Sequence, residues 1–411
     1  MTRRILLDMT RAVGRRWRGA SPSGIDRVCD AYAERFADTA YAAIQVRGRG
    51  IVLDRLNSAR LFAALDLSKR EFRRTMVRIL YASLTCTARR DELVGAVYIN
   101  TGHTDFDLAA HWRWVKGLGL QPIYLIHDLI PITHPEVTTP HKTRRHRGRV
   151  EQALFGATGI IANSACTADE IAGYALEGGR RLPPVLAAPI AGGTLRPRLQ
   201  KAEDGAPTFL TIGTIEPRKN HALLLDVWNR LVARLGAEAP RLVIAGSWGR
   251  GSRAVRSRLV SDPELSAHVS VVESPDDAQL AALMGRARAV LLPSHAEGFG
   301  LPLVEALEAG VPVIASDLPS FRETGQGIPK LLPVSDIEAW TAAIAEFSGP
   351  SLRRDRQLAL VDTFAAPCWK DHFAALDTWL DRLLNAERDQ GRAPFGRDAD
   401  PYAVTGREMR A

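Results

Sequence analysis

Residues 288–316 read RAVLLPSHAEGFGLPLVEALEAGVPVIAS, and this stretch decides the fold class. Both of its ends are short apolar runs, and an amphipathic segment with glycines at its start lies between them. A strand, a turn, a helix and a second strand in this order are typical of a parallel β–α–β unit. Gly298 and Gly300 allow the backbone to approach a ligand closely, and Pro302 suits a first helical turn whose free N–H groups face that ligand. The stretch therefore predicts an α/β fold with a binding turn at the carboxyl edge of a sheet.

The same alternation runs along the chain in two series. Apolar runs begin near residues 4, 42, 96, 122, 159 and 184, and a second series begins near residues 208, 241, 268, 289 and 311. We predict two doubly wound, Rossmann-like domains that face a central cleft, because parallel sheets bind ligands at the carboxyl ends of their strands. The predicted parts are an N-terminal acceptor-side domain (1–195), a polar linker (196–207), a donor-binding domain (208–365), a helix that packs back on the N-terminal domain (366–386) and a mobile tail (387–411).

Composition narrows the class of protein. The chain has 411 residues, of which 46% are hydrophobic and 24% charged, as in ordinary globular proteins. Its four cysteines are too scattered for a disulfide framework or a metal knuckle, and they fit a reducing compartment. No stretch approaches the roughly 18–20 apolar residues of a membrane helix. We therefore expect a cytoplasmic protein that is soluble or peripheral to the membrane.

The charge is uneven. Residues 1–200 hold 30 Lys and Arg against 18 Asp and Glu, a net of +12, whereas the rest of the chain is −4 within an overall +8. A strongly basic N-terminal half suggests a surface that faces phosphates, either of nucleic acid or of anionic lipid. The densest run, 141–149, lacks the aromatic residues that stack on bases, so lipid or polyphosphate is favoured over single-stranded nucleic acid. A solvated helix face remains open. The cations concerned are Lys142, Arg144, Arg145, Arg147 and Arg149.

A second motif follows the predicted strand at 208–213. A tight turn at Gly213 leads to Arg218 and Lys219 and then to an amphipathic helix that begins at His221. We expect both cations in the first turn of that helix, where the helix dipole disfavours them and a function is the better explanation. Together with free backbone N–H groups they would hold a diphosphate.

Glu297 and Glu305 are eight residues apart in the opening stretch. At this spacing they would not share a proton, but they would bind separate parts of one elongated ligand. Carboxylates suit the hydroxyl groups of sugars and ribose, since each oxygen accepts strong hydrogen bonds.

These motifs resemble those of the retaining glycosyltransferases of family 4, which have the GT-B fold. Residues 295–310 are similar to their E-x7-E segment, residues 213–220 are similar to their diphosphate-binding turn, and the resemblance is strongest over 209–323. It implies transfer of a hexose, with mannose slightly favoured, from a GDP- or UDP-linked donor to a lipid-linked or growing saccharide. The reaction would retain the anomeric configuration, need no metal or other cofactor, and serve surface polysaccharide or lipopolysaccharide synthesis.

The resemblance also implies roles for individual residues. Glu297 would hold hydroxyls of the donor sugar, Glu305 the ribose, and Arg218 with Lys219 would neutralise the leaving diphosphate. Many members carry an arginine directly after the glycine of the turn, whereas this chain has Thr214, so the charge would come from Arg218 and Lys219, an arrangement of mannosyltransferase-like relatives. The implied donor-binding set is completed by Gly24, Arg27, Gly213, Thr214, Gly298, Phe299, Gly300 and Leu301.

In the N-terminal half, His127 stands at the end of the predicted strand 122–128. By resemblance it would contact the donor sugar near the reacting carbon, and the alternative is a buried histidine satisfied by backbone. Residues 21–28 occupy the place of a loop that approaches the diphosphate, which makes Gly24 and Arg27 candidates. Ser164 or Thr167 would cap a helix or contact the ligand.

Asp105 and Asp107 match the DxD signature of metal-dependent glycosyltransferases, but they lie several residues past their strand. We interpret them as solvated carboxylates at the start of a helix. Two other functions stay open. A nucleotide-sugar epimerase would need acid and base residues that we cannot assign, and a non-catalytic protein that binds an anionic polymer would explain the charge but not the two motifs.

Overall fold

The structure is a computed structural model that describes residues 3–20, 22–193 and 206–389. The chain divides into two compact units, one formed by Met1–Ala188 with Trp369–Ala411 and the other by Pro189–Cys368. The division falls between Ala188 and Pro189, earlier than the boundary expected at residue 195. Most of the predicted linker (196–205) and residues 390–411 of the predicted tail lie outside the described residues.

The first unit is built on a seven-stranded sheet with the order β3-β2-β1-β4-β5-β6-β7. All pairs are parallel except β2 with β3, which form an antiparallel hairpin at one edge. Each predicted apolar run of this half forms a strand, and β3 was missed because its outward residues are exposed. The strands are β1 (Ile5–Asp8), β2 (Ala40–Val46), β3 (Arg49–Val52), β4 (Val97–Asn100), β5 (Gln121–Ile126), β6 (Gly159–Ala162) and β7 (Val185–Ala187).

Helices of the first unit connect the strands and cover the sheet. They are α1 (Thr10–Arg18), α2 (Gly24–Phe36), α3 (Arg55–Ala64), α4 (Lys69–Ala82), α5 (Arg90–Leu93), α6 (Ala109–Gly117), α7 (Ile130–Thr133), α8 (Pro140–Gly156) and α9 (Ala165–Glu177). Ser164 is the N-cap of α9, since its side chain accepts from the Thr167 N–H at 3.0 Å. The capping role predicted for this segment is confirmed for Ser164.

The second unit has a six-stranded, all-parallel sheet with the order β10-β9-β8-β11-β12-β13. Five of its strands coincide with predicted runs, and only the short β13 was missed. The strands are β8 (Thr208–Ile212), β9 (Arg241–Ala245), β10 (Val269–Val272), β11 (Val290–Leu292), β12 (Val313–Ser316) and β13 (Lys330–Leu332). The helices are α10 (His221–Leu235), α11 (Arg253–Ser261), α12 (Pro263–His268), α13 (Asp277–Arg286), α14 (Leu301–Glu308), α15 (Pro319–Gly325), α16 (Ile337–Ser348) and α17 (Leu352–Val361).

Alternate residues of the second sheet feed two apolar clusters, as the pleat requires. One cluster contains Trp228 of α10 and Trp340 of α16, both fully buried. The other contains Leu303 and Leu307 of α14. Helices therefore cover both faces, and the turns at the carboxyl ends of the strands are left to form a site.

The last helix, α18 (Trp369–Asp389), belongs to the first unit. Its His372 side chain lies 2.8 Å from the hydroxyl of Tyr32 in α2, and Arg3 pairs with Asp377. Among the described residues, no helix is long and apolar enough to cross a membrane.

Candidate functional site

The centre of the second sheet is a topological switch point. From β8 the chain moves outward through β9 and β10, and then returns to β11 on the other side of β8. The turns that follow β8 and β11 therefore leave neighbouring strands toward different sides, which opens a crevice at the carboxyl edge. The backbone N–H of His295 donates to the carbonyl of Arg218 at 2.8 Å and ties the two turns together.

Two glycines shape these turns. Gly300 has φ +86° and precedes α14, and a Cβ there would lie 2.6 Å from the ring of Phe321. A Cβ on Gly246, at the end of β9, would lie 1.9 Å from the carbonyl oxygen of Gly213. A side chain at Gly300 would push α14 away from Phe321, and one at Gly246 would push the Gly213 turn away from β9, so close approach requires glycine at both positions.

Three charged side chains from the two turns meet in the crevice. The Lys219 ammonium lies 2.6 Å from Glu297 Oε1, and Arg218 Nη1 lies 2.9 Å from Glu297 Oε2. The Ser294 hydroxyl also donates to Glu297 Oε1 at 2.7 Å. Lys219 and the carboxylate of Glu297 are nearly inaccessible to solvent. The sequence-predicted residues Arg218, Lys219 and Glu297 are therefore one cluster, which we call the switch-point cluster.

The protonation states follow from burial and from the partners. Burial by itself raises the pKa of Glu297, but the charges of Arg218 and Lys219 outweigh it and lower this pKa to about 2. Burial lowers the pKa of Lys219, and the Glu297 carboxylate opposes that shift. A fourth charge lies at the rim, because the half-exposed Glu216 pairs with Arg218 at 3.0 Å. Two cations and two carboxylates thus balance one another.

The two cations do not lie in the first turn of a helix, so that expectation was wrong. Pro217–Lys219 is a single 3-10 turn, Asn220 follows with φ +52°, and α10 begins only at His221. Pro217 starts the short turn and the left-handed Asn220 ends it, so the cations precede the helix. Their position is set by Glu297 rather than by conflict with the dipole of α10.

Glu305 is in a different environment from Glu297. It lies on the buried side of α14, and its Oε1 accepts from the backbone N–H of Gly193 at 3.1 Å. The two carboxylates therefore have different partners: side chains at Glu297 and a backbone N–H at Glu305. Phe299 is buried in the protein and Leu301 opens α14, whereas Thr214 is exposed beside the Gly213 turn.

His127 lies in the first unit, directly after β5, and is buried. Its Nε2 is 2.8 Å from the carbonyl of Thr101, so this nitrogen carries the proton, and its backbone N–H points to Nε2 of His103 at 3.4 Å. The ring of His103 lies between those of His127 and His146, at centroid distances of 5.0 and 5.3 Å. One nitrogen of His127 is thus satisfied by backbone.

We call His103, His127 and His146 the histidine cluster. Burial lowers the pKa of His127 to about 4 and that of His103 well below its usual value, and it also lowers the pKa of His146. Asp128 opposes the shift at His127 without reversing it. At neutral pH the three rings are uncharged.

The segment expected as a loop near residue 24 is the start of a helix. Gly24 is the first residue of α2, and the half-buried Arg27 lies in its first turn. Ser23 and Asp26 form a capping box, and Arg11 Nε donates to Asp26 at 2.8 Å. The Ser-x-x-Asp spacing is a helix-start signal that the loop interpretation overlooked.

Asp107 is not a solvated carboxylate, which corrects the interpretation of the Asp105–Asp107 pair. It is ion-paired with Arg145 at 2.8 Å and with Arg149 at 3.3 Å, and Asp105 accepts from the backbone N–H of Gly48. Burial raises the pKa of Asp107, but Arg145 and Arg149 outweigh burial and lower it. No group of three metal-ligating side chains occurs in the described part of the chain.

The ion pairs of Asp107 also reduce the number of cations that the basic run 141–149 presents to solvent. Arg145 and Arg149 of α8 are committed to Asp107, and His146 is buried with its Nε2 2.9 Å from the Asp128 carbonyl. Three of the five predicted cations, Lys142, Arg144 and Arg147, are exposed.

Comparison with known proteins places this geometry in context. Residues 196–354, which contain the switch-point cluster, match the family of glycosyl transferases group 1. The serotype-specific mannosyltransferase WbdA of Escherichia coli is 28% identical over 242 residues, 55% of this chain and 29% of WbdA. The O-antigen chain mannosyltransferase B of Escherichia coli is 29% identical over 227 residues, 54% of this chain and 59% of that protein. The chain thus spans less than two thirds of either relative, and less than a third of WbdA.

A solved structure extends the likeness to both units. The Anabaena protein HepE, in complex with UDP-glucose, matches 93% of this chain and 100% of its own, with a TM-score of 0.61 and 14% identity. The fold is therefore GT-B, with two α/β units built on parallel sheets, as the sequence predicted.

Proposed function

We propose that the chain is a retaining hexosyltransferase of family 4 that uses a nucleotide diphospho-sugar as donor. The observation that carries the proposal is the switch-point cluster, in which Arg218 and Lys219 are held together by the buried Glu297. The match of residues 196–354 to group 1 glycosyltransferases and the mannosyltransferase relatives support it. Mannose is the favoured hexose, on a GDP or UDP carrier.

The donor diphosphate would bind to Arg218 and Lys219. Glu297 keeps both cations charged and aimed into the crevice, although burial disfavours a charged Lys219. Glu216 pairs with Arg218 from the exposed rim and would yield to a diphosphate, which carries more negative charge. Glu297 retains unused lone pairs on Oε2 for a donor hydroxyl, because a carboxylate offers about four acceptor sites. Glu305 is the proposed ribose contact.

In the transfer step, the bond between the anomeric carbon and the diphosphate oxygen breaks, and the bonding electrons leave with that oxygen. The acceptor hydroxyl oxygen forms a bond to the anomeric carbon from the same side, and its proton passes to the leaving phosphate. Charge develops on the diphosphate in the transition state, where preorganised cations lower the barrier most. Arg218 and Lys219 would supply this stabilisation, so the reaction would need no metal.

The neutral histidine cluster is suited to sugar hydroxyls rather than to the diphosphate. An uncharged ring offers hydrogen bonds to hydroxyl groups without attracting an anion, and we assign His127 to sugar hydroxyls of the donor, with Gly24 and Arg27 as further contacts of the first unit. The acceptor would be a lipid-linked or growing saccharide of a surface polysaccharide. Such an acceptor is available in the cytoplasm at the inner face of the membrane.

A donor screen tests the proposal. GDP- and UDP-sugars are incubated with the protein, with and without acceptor extract, and released nucleotide and anomeric configuration are measured. We expect acceptor-dependent release of GDP or UDP and an α-linked product from an α-linked donor, both unchanged in excess EDTA. The Arg218→Met/Lys219→Met variant should lose turnover, and Arg234→Met, at an exposed helix position of the same unit, should keep it.

Other outcomes would contradict the proposal. An isomerised nucleotide sugar without transfer would indicate an epimerase, and binding without turnover of any donor would indicate a non-catalytic anion-binding protein. Loss of activity in EDTA with recovery in Mg²⁺ or Mn²⁺ would overturn metal independence alone, and inverted product would overturn retention alone.

A further inference from the structure

Helix α4 of the first unit has two opposite faces. Phe72, Met76 and Ile79 are buried and pack it onto the protein. The other face follows the helical spacing i, i+3, i+4 and i+7 and is directed to solvent, which is where an isolated protein places polar residues. Apolar side chains on this second face are therefore unexpected unless the face binds a partner.

Apolar side chains fill the C-terminal half of the outer face. The exposed fractions are 57% for Val77, 40% for Leu80, 77% for Tyr81 and 78% for Leu84, which stands in the turn just after the helix. Trp17, 40% exposed, adds an indole beside the helix, since the Arg73 guanidinium lies over its ring at 5.4 Å. Single exposed apolar residues are common, but a contiguous set on one helix face marks an interaction site.

Cations fill the N-terminal half and the flank of the same face. Arg70 and Arg74 precede Val77 on this face, and Arg78 lies at its side; all three are exposed. Within the described residues, no carboxylate lies at ion-pair distance from any of them. The one acidic residue of the helix, Glu71, accepts from Ser68 in a capping box at the helix start, and these hydrogen bonds, with a smaller contribution from the charge of Arg74, lower its pKa.

We propose that this α4 face, formed by Arg70, Arg74, Val77, Leu80, Tyr81 and Leu84, docks the protein on an anionic lipid bilayer. Exposed cations with no described carboxylate at ion-pair distance complement phosphate headgroups, and the neighbouring leucine and tyrosine side chains suit the boundary between headgroups and acyl chains. Tryptophan and tyrosine are the aromatic residues enriched at that depth. The proposal does not depend on the transfer activity.

The charge pattern argues against a second copy of this chain as the occupant. A two-fold contact places the same surface on both sides, so a dimer through the α4 face would bring the arginines of both copies into one interface. Glu71 is the only carboxylate of the helix, and its oxygen is already engaged in the cap. A bilayer supplies the counter-charge that a second copy lacks.

Helix α8 provides a matched control. Its three exposed cations, Lys142, Arg144 and Arg147, belong to the densest basic run of the sequence. Removing them changes the net charge of the protein by the same amount as removing Arg70, Arg74 and Arg78. The two triple variants therefore separate a docking face from general attraction of a basic protein.

The test is co-sedimentation of the full chain with vesicles of phosphatidylcholine alone or mixed with phosphatidylglycerol. We expect binding only to the anionic vesicles. Arg70→Ser/Arg74→Ser/Arg78→Ser should weaken it on the order of 100-fold, from roughly fivefold per cation. Leu80→Ser/Tyr81→Ser/Leu84→Ser should also weaken it at least tenfold, and should remove the part of the binding that persists at about 1 M salt, where the Debye length is only about 3 Å.

Lys142→Ser/Arg144→Ser/Arg147→Ser should change vesicle binding by less than about fivefold. All substituted side chains are exposed, and melting curves would show that the variants stay folded. The proposal is overturned if the protein does not bind anionic vesicles, if it binds neutral vesicles equally, or if the α8 variant loses as much binding as the α4 variant. Dissociation of a dimer by the apolar variant, without vesicle binding, would identify a second copy as the occupant.

Discussion

The switch-point cluster and the histidine cluster both lie at carboxyl edges of parallel sheets, and both are buried, yet their charges differ. In the second unit, burial would neutralise Glu297, but two cations within 3 Å keep it ionised and lower its pKa to about 2. In the first unit, burial lowers the pKa of His127 to about 4, and Asp128 does not reverse the shift. Desolvation is common to both, and the close ionic partners decide the result.

This difference separates two kinds of recognition. A cluster that stays ionised can exchange a rim carboxylate such as Glu216 for a diphosphate. A cluster that stays neutral can hydrogen-bond sugar hydroxyls and repels no cation or anion. The acid prediction below compares the two clusters directly, and the other predictions change the switch-point cluster or a carboxylate near it.

The largest effect is expected for Glu297→Gln. It leaves the buried Lys219 without its counter-charge, whereas Arg218 keeps Glu216, and breaking a buried pair in this way costs about 3–5 kcal/mol of stability. Denaturant unfolding of the second unit measures it. Lys219→Met/Glu297→Gln removes a charge of each sign and should recover part of the loss. Glu238→Gln, at an exposed position, should change nothing, and a Glu297→Gln variant as stable as the wild type would contradict the account.

Acid should destabilise the first unit before the second. The unfolded pKa of histidine is about 6.5, above the value of about 4 for folded His127, so the unfolded chain binds more protons between these values. Stability is therefore lost as pH falls through that window, by about 3 kcal/mol for His127 alone. Burial lowers histidine pKa values at His103, His111, His127 and His146 in the first unit and at His221 in the second.

The contribution of Glu297 to stability is lost over a different pH range. Its folded pKa is lowered to about 2, so its stabilisation is present above the ordinary value of 4.5 and disappears as pH falls toward 2. Hydrogen-exchange protection of each unit at pH 7 and pH 5, corrected for intrinsic exchange, distinguishes the two. His127→Gln should reduce the loss in the first unit only. Equal losses of protection in both units would refute the comparison.

Glu305→Ala should weaken GDP or UDP binding by about 10- to 100-fold, the value of a hydrogen bond to a charged group. The fold should survive, although the substitution also removes the acceptor for the Gly193 N–H. Calorimetric titration measures the affinity, with Glu308→Ala on the exposed side of the same helix as the control. Unchanged affinity for both nucleotides would exclude the ribose role, and a collapsed melting curve would make Glu305 structural.

The smallest effect has the opposite sign. Glu216→Gln removes the rim carboxylate from Arg218, and an exposed pair is worth about 0.2–1 kcal/mol, so GDP or UDP should bind up to about fivefold more tightly. Glu238→Gln is the matched control for the change in net charge. Weaker binding by Glu216→Gln would mean that Arg218 does not face the diphosphate.

Local patterns in the sequence predicted most of the strands and all three residues of the switch-point cluster. Apolar runs bounded by turns marked the buried strands, because a strand covered on both faces is apolar throughout. The edge strand β3 and the short β13 lack such runs and were missed. Arg218, Lys219 and Glu297 stood in recognisable turns, but their contact joins positions 78 residues apart and follows only from the adjacency of β8 and β11.

Long-range pairing accounts for the errors as well. Asp107 looked solvated because its partner Arg145 is 38 residues away. The basic run likewise gave no sign that two of its cations are committed to this carboxylate. Helix α4 has two sets of apolar residues that both follow helical spacing, one at 72, 76 and 79 and the other at 77, 80, 81 and 84. The sequence alone does not tell which set is buried.

The most direct test of the switch-point cluster compares nucleoside diphosphates with monophosphates. Wild-type protein, Lys219→Met and the control Arg234→Met are titrated with GDP, GMP, UDP and UMP. We predict that the wild type and Arg234→Met prefer one diphosphate over its monophosphate by about 10- to 100-fold, and that folded Lys219→Met loses most of this preference. A folded Lys219→Met protein with the full preference for the diphosphate would contradict the account.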